Sequence, residues 1–285
     1  VGAGSSGTRH IRNLVELGAH VSVYRYRQNK VGDLASISET LKVYTSLEQA
    51  LDSGVEAVVI ANRPDQHIPV AIQAARRGLH LFIEKPLSAG TEGLDELLDV
   101  VQNRSCIVEV GCMMRFHPNL RFIKDSIDSG SIGKVYSARA VVGQYLPDWR
   151  PSQDYRSTYS AHSEQGGGAV LDLVHELDYL IWWLGNVQEV AAFCARASAL
   201  EISTEDIAQM LLKFETGVLG QVHVDYLRRA YARQAEVVGS EGTLVWDSAN
   251  NTVVLHDSSG QRVCHRAPDG FERNTMFLDH MRHFL

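Results

Sequence analysis

Apolar and polar positions follow two rhythms over the first hundred residues. Residues 6–17 carry apolar side chains at helical spacing and stop at Gly18, a common helix C-terminal residue. Residues 20–24 form a short β-branched run. Residues 55–61 are a continuous apolar stretch, as a strand buried on both faces requires. Helical spacing returns over 68–77 before Gly78. A strand is expected at 79–83, a helix at 93–102 and a strand at 106–110. This alternation predicts an α/β domain, a doubly wound parallel sheet with helices on both faces.

The rhythm changes near Pro118. A helix is expected over 120–129, a strand over 135–142 and a long apolar helix over 168–184. Strands dominate afterwards, at 187–195, 207–214, 218–226, 234–238, 243–246 and 253–256. Glycine, serine, asparagine and aspartate fill the links. The expected architecture is residues 1–118 as a Rossmann domain and 119–285 as an α+β domain on a large, mostly antiparallel open sheet. The opening Val1-Gly2 reads as the tail of a strand and 275–285 as an unfinished helix, so the natural chain is expected to extend past both ends.

Composition narrows the function classes. The formal net charge of -7 disfavours a general nucleic-acid binder, which needs a basic face. Cys106, Cys112, Cys194 and Cys264 show neither a disulfide framework nor metal-ligand spacing, so reduced thiols, a cytoplasmic location and no metal are expected. No apolar run is long enough to span a bilayer, and no membrane partner is expected.

Candidate chemistry starts at Gly2-Ala3-Gly4-Ser5-Ser6-Gly7, a G-x-G-x-x-G between a strand end and a helix. The first glycine permits a tight turn, the second a close pyrophosphate and the third close helix packing. Helix N-terminal N–H groups, with Ser5 and Ser6 among them, then face the phosphates. The second strand runs into Arg25-Tyr26-Arg27, where an NAD-preferring site usually carries an acid. Arg25 or Arg27 could grip a 2′-phosphate, so NAD(P) is expected with NADP favoured; the other reading is a solvated basic loop.

The strand at 79–83 runs into Glu84-Lys85-Pro86. Strand C-termini line the cofactor crevice in such sheets, which places Lys85 to hydrogen-bond a substrate hydroxyl. Asn62 follows another strand end and could contact cofactor. His67 could cap a helix or touch phosphates, with the structural role favoured. Gly166-Gly167-Gly168 reads as a flexible entry letting backbone approach a ligand. On the helix that follows, Asp172 and His175 are three residues apart and would share one face. A histidine titrating near neutrality can accept a hydroxyl proton, and Asp172 could orient substrate. A core histidine bonded to a neighbouring acid is the other reading.

These pieces together resemble the Gfo/Idh/MocA oxidoreductases. The resemblance rests on the glycine loop, on residues 57–67 and 80–87, on Val110-Gly111-Cys112-Met113-Met114-Arg115-Phe116, and on residues 166–178. It implies hydride transfer between a nicotinamide and a hydroxyl or carbonyl carbon of a sugar, sugar acid, nucleotide sugar or polyol. Lys85 matches the family's catalytic lysine, and Asp172 and His175 its aspartate–histidine pair; Glu84 joins the cofactor-binding set. Many family members have three residues between aspartate and histidine, where this chain has Leu173 and Val174, which leaves the division of roles open. The resemblance also implies a homo-oligomer, a dimer or tetramer, covering the open sheet.

Tyr145, Trp149, Tyr155 and Arg156 lie in a segment rich in aromatics and charge, suited to sugar rings, carboxylates or phosphates. The segment is similar to one in family members that build acidic surface sugars. The alternative is a loop whose aromatics cap the core. Arg115 could reach substrate or pair with a structural acid. Two other functions stay open: a non-catalytic dinucleotide-binding sensor or scaffold, and a redox-neutral, NAD-using glycoside-cleaving relative.

Overall fold

The computed structural model describes residues 1–25, 36–37 and 41–285. The chain forms two compact units, residues 1–111 with 164–166 and 274–285, and residues 112–163 with 167–273.

The first unit runs α1 (Ser5–Glu16), β1 (Ser22–Tyr24), β2 (Lys42–Tyr44), α2 (Leu47–Leu51), β3 (Ala57–Ile60), α3 (His67–Arg76), β4 (His80–Ile83), α4 (Leu94–Arg104) and β5 (Val108–Val110). Strands β1 and β2 pair in parallel, as do β3, β4 and β5. Residues 1–2 bridge the two groups. The Val1 nitrogen meets the Val59 carbonyl at 2.6 Å, Ala61 N–H donates to Val1 O, and Gly2 N–H donates to Tyr24 O. Ile60, Leu81 and Ile83 are fully buried between the helices, each contributing about 1.5–3 kcal/mol by leaving water. The short α2 and β2 are too brief to register as periodic patterns.

The second unit contains α5 (Pro118–Asp128), β6 (Val135–Gly143), α6 (Ala169–Asp172), α7 (His175–Leu184), β7 (Val187–Ala195), β8 (Ile207–Phe214), β9 (Leu219–Asp225), β10 (Ala232–Gly239), β11 (Thr243–Asp247), β12 (Thr252–Asp257) and β13 (Gly260–Arg266). The eight strands form one sheet ordered β13-β12-β11-β10-β6-β9-β8-β7, antiparallel except at β6–β9. Residues of β8 alternate between buried and exposed, so one sheet face is core. On the other face Phe193, Leu211 and Leu219 share a side by register and are exposed.

The final helix, α8 (Arg273–Phe284), has most of its length in the first unit, although the sequence pattern assigns residues 119–285 to one domain. Its Phe277 and His280 set their rings edge-on to His10 and Phe82, and His280 bonds Glu109 at 2.8 Å. That apolar and hydrogen-bonded face draws the chain end back to the first sheet.

The expected single helix over 168–184 is two helices. Leu173 leaves helical torsions at φ -105° and ψ 30°, ending α6 at Asp172 and restarting the chain as α7 at His175. Asp172 and His175 therefore do not share one helix face. Nor is Gly166-Gly167-Gly168 a loose entry. A Cβ on Gly167 would lie 2.2 Å from the Tyr159 carbonyl, and one on Gly168 would lie 2.4 Å from the Glu205 carboxylate. That carboxylate accepts the Val170 N–H at 2.9 Å and caps α6. The glycines admit neighbouring protein rather than a ligand. Among the described residues no helix is long and apolar enough to cross a membrane.

Candidate active site

The glycine loop is shaped by contacts that side chains would break. Gly2 sits at φ +88°, and a Cβ there would lie 2.8 Å from the Ala61 backbone. A Cβ on Gly7 would lie 2.2 Å from the Gly2 carbonyl. Gly4, the N-cap of α1, has open space beside it and no side-chain cap. Ser5 and Ser6 form the first turn of α1, with no acid there to occupy the positive end of the helix. Nearby, Asn62 buries its Oδ1 without a hydrogen-bond partner. An uncapped twelve-residue helix and an open glycine at its start fit a dinucleotide phosphate, and the orphaned Asn62 acceptor beside them suits a hydroxyl or amide donor of the same cofactor.

Lys85 follows β4 in a turn closed by a cis Lys85–Pro86 bond and is half-buried. Glu84 is 8% exposed, with one carboxylate oxygen 2.6 Å from His10 Nε2 and the other accepting the Lys85 N–H at 3.1 Å. The His10 bond and charge hold the Glu84 carboxyl below its ordinary range against the opposing effect of burial. His67 is buried with Nδ1 2.9 Å from Pro86 O and Nε2 3.2 Å from Asn62 O. Burial lowers its pKa, and both nitrogens face backbone. His67 thus braces the loops at 62 and 86 instead of reaching phosphates. Arg25 closes β1 with its N–H on Tyr44 O, while Arg27 lies outside the described residues.

In the second unit Asp172 is 3% exposed and His175 is 4% exposed. Tyr226 donates its hydroxyl to Asp172 Oδ2 at 2.7 Å, and Tyr159 donates to Oδ1. Burial and the adjacent Asp172 charge push the Tyr226 phenol up, so it stays a proton donor. The two hydroxyls fix the carboxylate plane at the end of α6. Neither tyrosine stands at a helix or strand spacing from Asp172, so the sequence carries no local signal for them.

Helix α7 is held by one arginine fork and one buried ion pair. Arg115 reaches Asp178 with Nε at 3.0 Å and Nη2 at 2.6 Å. Arg233, buried with Glu176, donates Nη2 to Oε2 at 3.3 Å and sets Nε 2.8 Å from Oε1 as an ion pair rather than an aligned second hydrogen bond. Arg115 is thereby the partner of a structural acid. Arg156 likewise forks onto Asp154 and bonds Glu201 at 3.0 Å on the exposed surface. Trp149 donates to Gln144 O and sets its ring edge-on to Tyr226, a capping position. Tyr145 and Tyr155 do line one open hollow of about 360 Å³ with Ser198, Leu200, Leu227 and Arg229. The Arg229 guanidinium lies 3.6 Å over the Tyr145 ring. Among the described residues no cluster of three or more histidine, cysteine or acidic side chains could hold a metal.

Comparison with known proteins bears on the family and the fold. Residues 1–112 match the model of an oxidoreductase family with an NAD-binding Rossmann fold, and residues 120–245 match the GFO/IDH/MocA C-terminal domain. Myo-inositol 2-dehydrogenase of Thermotoga maritima is 28% identical over 274 residues, 92% of this chain and 78% of that protein. The 1,5-anhydro-D-fructose reductase of Ensifer adhaerens is 28% identical over 77% of this chain and 67% of its own length. Levoglucosan dehydrogenase, solved with NADH and levoglucosan, shares the fold with a TM-score of 0.87 at 20% identity, covering 99% of this chain and 87% of that one.

Proposed function

The chain belongs to the GFO/IDH/MocA family of oxidoreductases, and from that premise we propose that it oxidises a secondary hydroxyl of a cyclic polyol or sugar, or reduces the matching carbonyl. The glycine loop carries this reading, because its fit to a dinucleotide phosphate rests on steric demands at Gly2 and Gly7 and open space at Gly4. Relatives named for inositol and anhydrofructose support the substrate class.

A bound nicotinamide supplies or accepts the hydride. Gly4, Ser5, Ser6 and Asn62 would hold the dinucleotide. Lys85 would donate to the substrate oxygen and stabilise negative charge as its proton leaves. His175 would take that proton on an imidazole nitrogen. Asp172, fixed by Tyr159 and Tyr226, would accept a neighbouring substrate hydroxyl and set the ring orientation.

Cofactor choice follows from residues 24–27, which hold no acid. Arg25 and Arg27 support NADPH, and separate fluorescence titrations with NADH and NADPH test both readings. At least about tenfold tighter NADPH binding is expected if an arginine grips the 2′-phosphate. Tighter NADH binding removes that role and leaves the dehydrogenase reading intact. Binding of neither by folded protein, or no turnover across inositols, aldoses and anhydrosugars, overturns it.

The exposed Phe193, Leu211 and Leu219 support self-association through the open sheet face. Light scattering is expected to give at least twice the monomer mass, and Phe193→Lys to lower it; a monomeric wild type would exclude this face as an interface.

A further inference from the structure

Beneath the Lys85 turn lies a buried hydrogen-bonded pair that none of the steps above uses. His10 is 2% exposed and stands on α1, the helix whose first turn forms the phosphate cradle. Its Nε2 is 2.6 Å from Glu84 Oε1 across 74 residues of chain. The other Glu84 oxygen accepts the backbone N–H of Lys85 itself. Packing leaves the carboxylate little freedom, since a Cβ on Gly111 would lie 3.1 Å from both Glu84 Cα and Oε2. Phe82 and Phe277 close the His10 ring edge-on at 5.2 and 6.1 Å. His280, on α8, and His67, on α3, also sense the Glu84 charge, and Glu109 pairs with His280.

A buried pair of polar groups is a poor way to gain stability, because desolvating both partners offsets their attraction. An apolar pair of similar volume would hold α1 against β4 at less cost. What an apolar pair would lack is the directed link from helix to carboxylate to Lys85 backbone.

We infer that His10 and Glu84 are positioning residues that tie the orientation of Lys85 to the phosphate-binding helix. A displacement of α1 is passed through the imidazole to the carboxylate and on to the turn carrying the ammonium. The assignment rests on the proposed role of Lys85, but it is tested on Lys85 directly and without turnover.

The full chain is dimethylated with ¹³C-formaldehyde, and the Lys85 signal is identified by its loss in Lys85→Arg. The other signals come from Lys30, Lys42, Lys124, Lys134, Lys213 and the α-amine, so the spectrum is simple. In the wild type the Lys85 signal is expected away from its position in the urea-unfolded chain, and to move on adding NADH. In Glu84→Gln and in His10→Leu it is expected to return more than halfway to the unfolded position and to lose at least half its response to NADH. The double variant should add little to either single one, and His10→Gln, which can still donate to the carboxylate, should recover most of the wild-type position. Thermal melts confirm that each variant compared is folded; if His10→Leu is not, Glu84→Gln and His10→Gln carry the test. Signals at the wild-type position in folded Glu84→Gln and His10→Leu, with only the melting temperature lowered, would make the pair structural and overturn the inference. A wild type that binds neither NADH nor NADPH overturns the proposed function instead, and the signal position still decides the role of the pair.

Discussion

Lys85→Ala is expected to lower turnover at least about 100-fold while NADH affinity changes less than about threefold. The separation follows from where the residue stands. The phosphate cradle is made by the backbone of Gly2, Gly4, Gly7 and the start of α1, more than 60 residues before Lys85. Alanine keeps the backbone N–H that Glu84 accepts, so the turn and its buried carboxylate retain their bond. What is removed is one ammonium group, whose proposed work is to stabilise charge on the substrate oxygen. A loss in kcat with cofactor affinity intact marks an interaction made mainly in the transition state. Lys85→Arg keeps the charge but spreads it over a planar fork, and is expected to recover only part of the rate. Steady-state kinetics on the best substrate from the polyol screen, beside the fluorescence titration, make the check. Near-wild-type kcat in Lys85→Ala would remove this lysine from the chemistry.

How far the site could be read from the sequence depended on whether a signal was local. The glycine loop was legible because its motif lies within six residues and Gly7 must clear Gly2, although the contact of Gly2 with the strand end at Ala61 lies far along the chain. The strand-to-Lys85 junction was legible for the same reason, an apolar run ending at a charged turn. Pairings across the fold were not. Tyr159 and Tyr226 reach Asp172 from a loop and from beyond β9, and His10 reaches Glu84 from another helix. Arg115 and Arg156 show how such pairings bear on candidate residues. Each had the side chain for anion recognition, yet acids on the same chain occupy both, which spacing does not reveal. The break between α6 and α7 was hidden because Leu173 and Val174 fit an apolar helix well; their departure from it is seen only in the backbone. The last helix returned to the first unit because Phe277 and His280 find partners there that lie far earlier in the chain.

The second large effect is expected at Arg233→Met, a loss of about 3–5 kcal/mol of stability. Arg233 is 9% exposed, and its guanidinium faces Glu176, which is fully buried. Removing the arginine leaves a carboxylate inside the protein with its charge uncompensated, the costly way to break such a pair. Met114 and Tyr179 beside it provide sulfur and ring, not a replacement cation. The double variant Arg233→Met with Glu176→Leu removes both charges and should recover most of the loss, since apolar side chains of similar size often match a buried ion pair. The location makes the pair more than a stability feature. Glu176 follows His175 directly, and Asp178, held by Arg115, lies half a turn further along α7. Two arginine pairings on one ten-residue helix restrict its rotation, and so the direction of the imidazole at its first position. Urea unfolding of the single and double variants reads the stability term. If the double variant regains stability but not turnover, the pairings serve to aim His175. A single variant within about 1 kcal/mol of wild type would mean that Glu176 finds another way to be neutralised, and the clamp on α7 would then rest on Arg115 alone.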